Sequence, residues 1–421
     1  MLKSLFKRFK KTIVFKTIQK TIPYRALRKV YRMCRKQIRK IYRYEMLRKH
    51  YPKLYNKYAA RPVNEKKVVF IEVRESKISD SFSLMYKKVQ EEHKYEIHTH
   101  FLRSGFSKRK DYRHACEAMI TDIADAKYIF LNESSDVIAA LPMRKETIVT
   151  QLWHGCGAFK KFGMSTAELI FGDDRKTLEK YPYHGNYTYV TVSSPEVVWA
   201  YEEAMSLQDK KGVVVPTGIS RSDIFYDEDA KKAAKEKLLS VVPQAKGKKV
   251  ILYAPTFRGR VARAKTPDEL DIAAFGDALG KDYILLFKLH PFVKKRTAIP
   301  EGYEDFAFDL TDDMSIEELL FVADICISDY SSLVFEYSLF EKPMIFFAFD
   351  LDNYYDWRGF YYDYKDFVPG PIHTTTEEMI EYIQHVDERF DKKKVQEFRQ
   401  KFMSACDGHA TERIMKMMFG E

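Results

Sequence analysis

The sequence predicts an α/β protein made of two successive doubly wound blocks. Short runs of β-branched and aromatic residues alternate with helical stretches along most of the chain. A first series of strands closes near Phe225, and a second begins after a helix and a Pro-, Gly- and Lys-containing linker at 243–249. Polar motifs follow several strands, which is where such folds bind ligands.

The first block, at residues 61–225, is predicted to hold strands at 68–73, 95–101, 128–132, 147–153, 187–193 and 213–216, with helices at 81–93 and 115–124. The second block, at residues 226–421, is predicted to hold strands at 250–253, 283–288, 325–328 and 344–349. Its predicted helices lie at 228–239, 315–322, 332–340 and from 375 to the end.

Residues 1–60 form a separate basic segment. They contain 20 of the 71 Lys and Arg but one acidic residue, Glu45, whereas residues 61–421 contain 51 basic and 59 acidic residues. An apolar stripe at helical spacing runs from Leu2 to Ile13, and a second basic helical stretch follows Pro23. We expect a helical arm that docks on an anionic membrane. A solvated arm and a nucleic-acid-binding arm are the alternatives.

Cysteine usage and hydropathy restrict the location. The five cysteines are scattered without a CxxC spacing, which argues against a disulfide framework or a zinc site. The sequence shows neither an apolar run of about 18 residues nor a signal-peptide core. We expect a peripheral protein on the cytoplasmic face of the cell membrane.

Ser331 and Ser332 follow a predicted strand and open a helix, so their hydroxyls and backbone N–H groups could bind a phosphate. Arg258 and His290 follow two other strands and could add a cation and a hydrogen-bond donor. Glu336 could reach a ribose hydroxyl. The structural alternatives are helix capping by Ser331 or by the nearby aspartate, an ion pair for Arg258 and a backbone hydrogen bond for His290.

His154 lies in a loop with Gly155 and Gly157, whose small size allows close approach of a ligand or of backbone. Since imidazole titrates near neutral pH, His154 is a candidate general base, with a structural role in a tight turn as the alternative. His98 and His100 share one face of a strand but have no third ligand nearby, so we expect no metal site.

Six ordered segments within residues 151–364 carry a family resemblance: WHGCGAFKKFG, TGISRSDIF, ILYAPTFR, LFKLHP, ISDYSSLVFEYSLFEKPMIFF and DLDNYYDWRGFYYDY. They resemble the CDP-glycerol glycerophosphotransferases of wall teichoic acid synthesis, over roughly residues 67–385. The resemblance implies a GT-B-like architecture with two facing Rossmann-like domains. It assigns the acceptor side to residues 61–225 and the CDP donor to residues 226–421.

The resemblance also implies roles for individual residues. His154 and His290 match catalytic positions. The donor-binding positions are matched by Arg258, Thr311, Asp312, Ser331, Ser332 and Glu336. Asp329 lies in the same motif as the two serines, and Arg358 lies in the RGFY segment without an assigned role. Cys156 stands where Thr is common in the family and Ser220 where Pro is common. These departures leave the identity of the acceptor open.

The implied reaction is transfer of glycerol phosphate from CDP-glycerol to a hydroxyl of a lipid-linked glycan or teichoic acid acceptor, with release of CMP. His154 would accept the hydroxyl proton, and Arg258, His290 and the two serines would stabilise the growing charge. No cofactor is firmly implied, and dependence on Mg²⁺ stays open. CDP-ribitol as donor, a nucleotide-sugar glycosyltransferase and a non-enzymatic adaptor are the alternatives. We expect no nucleic-acid partner.

Overall fold

The computed structural model describes residues 22–170, 172–259, 264–352, 354 and 359–420. The predicted stripe from Leu2 to Ile13 and the residue Arg358 lie outside this part of the chain. The described strands form two parallel six-stranded sheets accompanied by helices, which confirms the predicted α/β class. No helix in the described part is long and apolar enough to cross a membrane.

The N-terminal segment divides into an exposed part and a packed part. Helix α1 (Ile22–Tyr44) is exposed throughout residues 29–41. A π-helical stretch (Glu45–His50) leads into α2 (Tyr51–Tyr58), and both contribute buried side chains to the core of the first block: Met46, Leu47, Tyr51 and Tyr55. The exposed arm therefore ends near Tyr44, before the predicted boundary at residue 60.

The first sheet has the strand order β2-β1-β3-β4-β5-β6. Its strands are β1 (Asn64–Glu72), β2 (Glu96–Phe101), β3 (Ala126–Leu131), β4 (Ile148–Gln151), β5 (Tyr189–Thr191) and β6 (Val214–Val215). Its helices are α3 (Asp80–Glu91), α4 (Arg109–Ile123), α5 (Asp136–Ala140), α6 (Arg175–Lys180) and α7 (Val198–Met205). The inner strands carry continuous apolar runs because helices cover both of their faces.

The second sheet has the order β12-β11-β10-β7-β8-β9. Its strands are β7 (Lys249–Tyr253), β8 (Tyr283–Phe287), β9 (Ala307–Asp309), β10 (Ile325–Ser328), β11 (Met344–Phe347) and β12 (Ile372–His373). The helices are α8 (Glu228–Val241), α9 (Ile272–Leu279), α10 (Ile316–Val322), α11 (Leu333–Ser338), α12 (Tyr364–Phe367), α13 (Thr376–Gln384), α14 (Val386–Arg389), α15 (Lys392–Phe402) and α16 (Ala410–Phe419).

All ten predicted strands are present, and the helix predicted at 115–124 begins earlier, at Arg109. Four labelled elements of the second block were not predicted: α9, α12, β9 and β12. Strands β9 and β12 span three and two residues, too few to show an alternating pattern. Helix α9 contains Gly276, which lowers its helix propensity.

The chain passes between the two blocks twice, and the two passages lie side by side. The Asp223 carboxylate in the first passage accepts hydrogen bonds from the N–H groups of Ala410 (3.1 Å) and Thr411 (2.7 Å) in the second. The Tyr226 hydroxyl donates to the Cys406 carbonyl at 2.7 Å. After the second passage, α16 packs on the first sheet, although it follows the second sheet in sequence.

Candidate active site

The loop after β4 fixes both the backbone and the ring of His154. Trp153 adopts a left-handed backbone with φ of +61°, which is uncommon for a residue with a side chain. The Nδ1 atom of His154 lies 3.0 Å from the backbone oxygen of Asn132. A carbonyl can only accept, so Nδ1 carries the proton and Nε2 of the neutral ring keeps its lone pair. The His154 side chain is 44% exposed, and its role as general base stays a prediction.

Two glycines bring the His154 loop against the second block. A Cβ on Gly155 would lie 3.7 Å from Oγ of Ser332. Gly157 has a φ of +66°, and a Cβ there would lie 2.2 Å from ring atoms of Phe335 in α11. Only hydrogen fits at Gly157 without displacement, so these small residues allow the loop to approach the two serines.

Arg221, which the sequence analysis did not select, joins the His154 loop to the second block. Its guanidinium donates to the His154 backbone oxygen at 2.9 Å and to Glu317 Oε1 at 2.5 Å, and lies 4.0 Å from Glu336 Oε1. Burial opposes the charge of Arg221, but Glu336 and Glu317 outweigh it and raise its pKa. Arg221 lies within the TGISRSDIF segment, but the sequence alone does not distinguish an arginine that belongs to a site from one that forms a surface ion pair.

Glu336 is 4% exposed, and burial raises its pKa. Its Oε2 atom has no hydrogen-bond partner among the described residues, and the same holds for Glu317 Oε2 and Arg221 Nε. Unsatisfied buried polar atoms are rare and cost about 1–3 kcal/mol each. Three of them around one buried charge cluster indicate a place where a polar ligand supplies hydrogen bonds.

Arg258 is held by two carboxylates in the structure. Its guanidinium contacts Asp350 through Nε (2.6 Å) and Nη2 (2.9 Å), and Asp329 through Nη1 (2.8 Å). Burial opposes its charge, but the attraction of Asp329 and Asp350 raises its pKa. Asp329 Oδ1 also accepts the Thr256 N–H at 2.8 Å. Arg258 thus connects three loops at the carboxyl edge of the second sheet, and its contact with a donor stays a prediction.

His290 and Thr311 lie after neighbouring strands of that sheet. The Phe292 N–H donates to Nδ1 of His290 at 3.2 Å, so the neutral ring carries its proton on Nε2 and can donate from there. The Thr311 hydroxyl accepts the Leu289 N–H at 2.9 Å, and its carbonyl accepts from Lys288 Nζ at 2.9 Å. These bonds fix the edge of the loop that holds His290.

The remaining predicted residues occupy different surroundings. The Asp312 carboxylate is 80% exposed and pairs with Arg296 Nη2 at 2.6 Å, so it lies on the rim. No side-chain hydrogen bond caps α11, although the Leu333 N–H donates to Ser331 Oγ at 3.4 Å. The structure therefore brings His154, Ser332 and Glu336 together between the two blocks. Arg258, His290 and Thr311 lie along the edge of the second sheet.

The described residues contain no group of three or more His, Cys, Asp or Glu arranged to hold a metal ion. His98 and His100 nevertheless have a nearby carboxylate that the sequence did not reveal. Nδ1 of His98 lies 2.9 Å and Nε2 of His100 lies 2.8 Å from Asp122, whose other oxygen pairs with Lys67 at 2.7 Å. The ammonium and the two imidazoles already surround this carboxylate.

Comparison with known proteins gives a consistent result. Residues 54–420 match the family described as CDP-glycerol:poly(glycerophosphate) glycerophosphotransferase. The teichoic acid poly(ribitol-phosphate) polymerase of Bacillus spizizenii is 38% identical over 363 residues, covering 86% of this chain and 57% of the polymerase. The teichoic acid ribitol-phosphate primase of the same organism is 36% identical over 362 residues, covering 85% of this chain and 91% of the primase.

Relatives named for ribitol phosphate are 33–38% identical to this chain, and those named for glycerol phosphate are 26–30% identical. A solved structure of the wall teichoic acid polymerase TagF superposes with a TM-score of 0.70 at 22% identity, covering 93% of this chain and 98% of that chain. The likeness concerns the fold, and it confirms the GT-B-like arrangement of two sheets that the resemblance implied.

Proposed function

The chain belongs to the CDP-glycerol:poly(glycerophosphate) glycerophosphotransferase family, and on this premise we propose that it transfers an alditol phosphate from a CDP-activated donor to a teichoic-acid-type acceptor. The acceptor hydroxyl attacks the β-phosphorus of the donor. The bond from that phosphorus to the bridging oxygen breaks, and CMP leaves with the electron pair. The hydroxyl proton moves to His154 Nε2.

The observation that carries this proposal is the apposition of the His154 loop and the serine loop. Gly155, the neighbour of His154 in the first block, lies so close to the second block that a Cβ on it would be 3.7 Å from Oγ of Ser332. In-line phosphoryl transfer needs mainly this positioning, together with groups that stabilise charge. The unsatisfied oxygen of Glu336 suits a ribose hydroxyl, which can donate to it.

We favour ribitol phosphate over glycerol phosphate as the transferred group. Relatives named for ribitol phosphate are more similar to this chain than those named for glycerol phosphate. CDP-glycerol, which the sequence motifs suggested, is the second candidate, because the family description names it. In either case, His290 and the two serines stabilise the leaving CMP without a cofactor, and turnover in excess EDTA tests this part.

The exposed arm is proposed to dock the enzyme on an anionic membrane. On α1, apolar side chains that are more than half exposed recur at helical spacing: Val30, Met33, Ile38 and Ile41. Basic residues occupy the opposite side: Arg32, Arg35, Lys36, Arg39 and Arg43. Such a helix lies in a bilayer interface with its cations among anionic headgroups. We place the protein on the cytoplasmic face, where CDP-activated donors are available.

The C-terminal end of α1 contacts the first block. Arg43 pairs with Asp136 at 3.3 Å and lies over the ring of Tyr181 at 4.6 Å. Its guanidinium also lies 5.4 Å from the ring of Tyr183. These contacts fix the direction in which α1 leaves the block, so a membrane bound to α1 would have a defined orientation relative to the site.

The activity is tested with pure full-length protein, CDP-ribitol and CDP-glycerol in parallel reactions, and lipid-linked disaccharide acceptors with or without an attached alditol phosphate. We expect CMP release and a matching mass increase of the acceptor, faster with CDP-ribitol. His154→Ala should lower kcat by about 10²–10⁴ while CDP-donor binding persists, whereas His409→Ala, at an exposed site, should have no effect. No mass increase with either donor, or near-normal turnover by His154→Ala, would refute the proposal.

A further inference from the structure

The second block contains a cavity of about 540 Å³ beside the donor loops. It lies at the carboxyl ends of β7 and β8, between the segment 265–272 and the segment 295–300. Lys265 in its wall exchanges backbone hydrogen bonds with Arg258 at 2.8 and 3.1 Å. Arg296, also in the wall, pairs with Asp312. Two of the predicted donor-binding residues, Arg258 and Asp312, are therefore bonded to residues that line the cavity.

The cavity lies on the face of the second sheet opposite to Glu336. Tyr253 and Phe287 line it and pack with α9 and α13 in one core cluster. Leu252, the neighbour of Tyr253 in β7, packs in the other cluster, which contains Phe335 of α11. Successive side chains of a strand point to opposite faces, so a donor whose ribose reaches Glu336 lies across the sheet from this cavity.

The wall of the cavity has hydrogen-bonding capacity that the protein does not use. Thr266 is 9% exposed, and its Oγ1 has no partner among the described residues. Thr297 Oγ1 and Arg296 Nη1, in the same wall, are also buried without a partner. Polar atoms in native proteins are seldom left in this state, and several in one wall indicate that a ligand completes their bonds.

The chemistry of the lining selects the class of ligand. Tyr253 and Phe287 offer an apolar floor for C–H groups, and the two threonines offer hydroxyls. Lys265 and Lys295 also line the cavity, and neither forms an ion pair with another described residue. Of the two aspartates in the lining, Asp268 and Asp271, the second accepts the Ala274 N–H at 3.0 Å and so caps α9. A carbon chain bearing hydroxyls and a phosphate matches all three features.

We propose that this cavity binds one alditol phosphate unit of the acceptor chain, on the side of the second sheet away from the donor. The proposal rests on the proposed function, because only an acceptor that already carries alditol phosphate would occupy the cavity. Such a subsite would hold the acceptor between successive contacts with the donor, and its residues would take no part in the transfer step.

The test measures binding without turnover. Full-length protein saturated with CMP is titrated calorimetrically with a three-unit poly(ribitol phosphate) oligomer and, separately, with inorganic phosphate. We expect the oligomer to bind in the presence of CMP. Thr266→Val and Thr297→Val should each weaken its binding roughly two- to tenfold, the range for one hydrogen bond. Thr177→Val, in the first block, is the matched control and should bind normally.

Three results would overturn the proposal. Loss of oligomer binding when CMP is present would assign the cavity to the donor. Unchanged binding by both valine variants would show that the cavity is not the subsite. Inorganic phosphate binding as tightly as the oligomer would indicate a simple anion site. Failure of the proposed function would appear differently, as absence of CMP release from the wild-type protein, whatever the calorimetry shows.

Discussion

Replacing Gly157 with alanine should disrupt the contact between the His154 loop and α11. The left-handed backbone at this position costs a residue with a Cβ about 1–2 kcal/mol. The new methyl group would also lie 2.2 Å from the Phe335 ring. Phe335 is fully buried and stacks on Phe398 at 5.3 Å, so it cannot turn away, and overpacking adds about 1–3 kcal/mol. We expect a total loss of about 2–5 kcal/mol in the free energy of unfolding.

Gly212→Ala provides the matched control. Gly212 has a φ of +82°, but a Cβ there would meet nothing within 4 Å, so only the backbone cost applies. Urea unfolding of both variants isolates the overpacking term. The Gly157→Ala loop must move, and displacement of a catalytic group by about 1 Å can reduce the rate by about 10². We therefore expect CMP release by Gly157→Ala to fall about 100-fold and that by Gly212→Ala to stay normal.

A second substitution checks the cause. Replacing Phe335 with leucine makes room for the methyl group, so the double variant Gly157→Ala/Phe335→Leu should be more stable than the sum of the single effects. A coupling of about 0.5–3 kcal/mol is typical of residues in contact. If Gly157→Ala matched Gly212→Ala in both stability and turnover, the loop and α11 would not touch as the structure shows, and the argument from the two glycines would fail.

Two further predictions concern buried ionisable groups, and a third concerns the exposed face of α1. Burial raises the pKa of Glu336, so the wild-type protein loses stability as the pH rises through that raised pKa. At pH 8, Glu336→Gln should therefore have a larger free energy of unfolding than the wild type, yet a higher KM for the CDP donor. A smaller free energy of unfolding for the variant would contradict this reasoning. Burial lowers the pKa of His184 from 6.5 to about 4, so the free energy of unfolding should fall by about 3 kcal/mol as the pH falls from 6.5 to 4. An equal fall in His184→Gln would refute the assignment of this pH dependence to His184. Ile38→Glu/Ile41→Glu should release the protein from phosphatidylglycerol vesicles, whereas Leu239→Glu, at another exposed apolar site, should not; equal binding would sink the arm proposal.

The strands were predictable because a parallel sheet is buried on both faces. The apolar run at 68–73 is typical of a strand buried on both faces, and it can be recognised without knowing that β2 and β3 are its neighbours. The arm was predictable in part. Its basic composition indicated the exposed helix α1. The sequence around Tyr51 and Tyr55 is equally compatible with a solvated helix and with a packed one, and only the fold shows that these two side chains are buried.

The polar contacts of the site could not be predicted, because their partners are distant in sequence. Arg258 pairs with Asp350, 92 residues away, and Arg221 with Glu317, 96 residues away. No local pattern links such residues, so the motif predicted a donor-binding role for Arg258 but not which carboxylates pair with it. Gly157 was selected for its small size, yet Phe335 as its neighbour emerged only when the two blocks were placed together.

The position of α16 has a consequence for biosynthesis. Ile414 and Met418 cover apolar residues of β1, Val68 and Phe70, so a helix that follows the second sheet in sequence completes the core around β1. A ribosome adding about 5–20 residues per second needs about 10–40 s to pass from Phe225 to Phe419. During that interval the nascent first block cannot close over β1. The nascent first block should expose apolar surface and mature slowly, and chaperones that bind such surface should associate with nascent chains until α16 emerges.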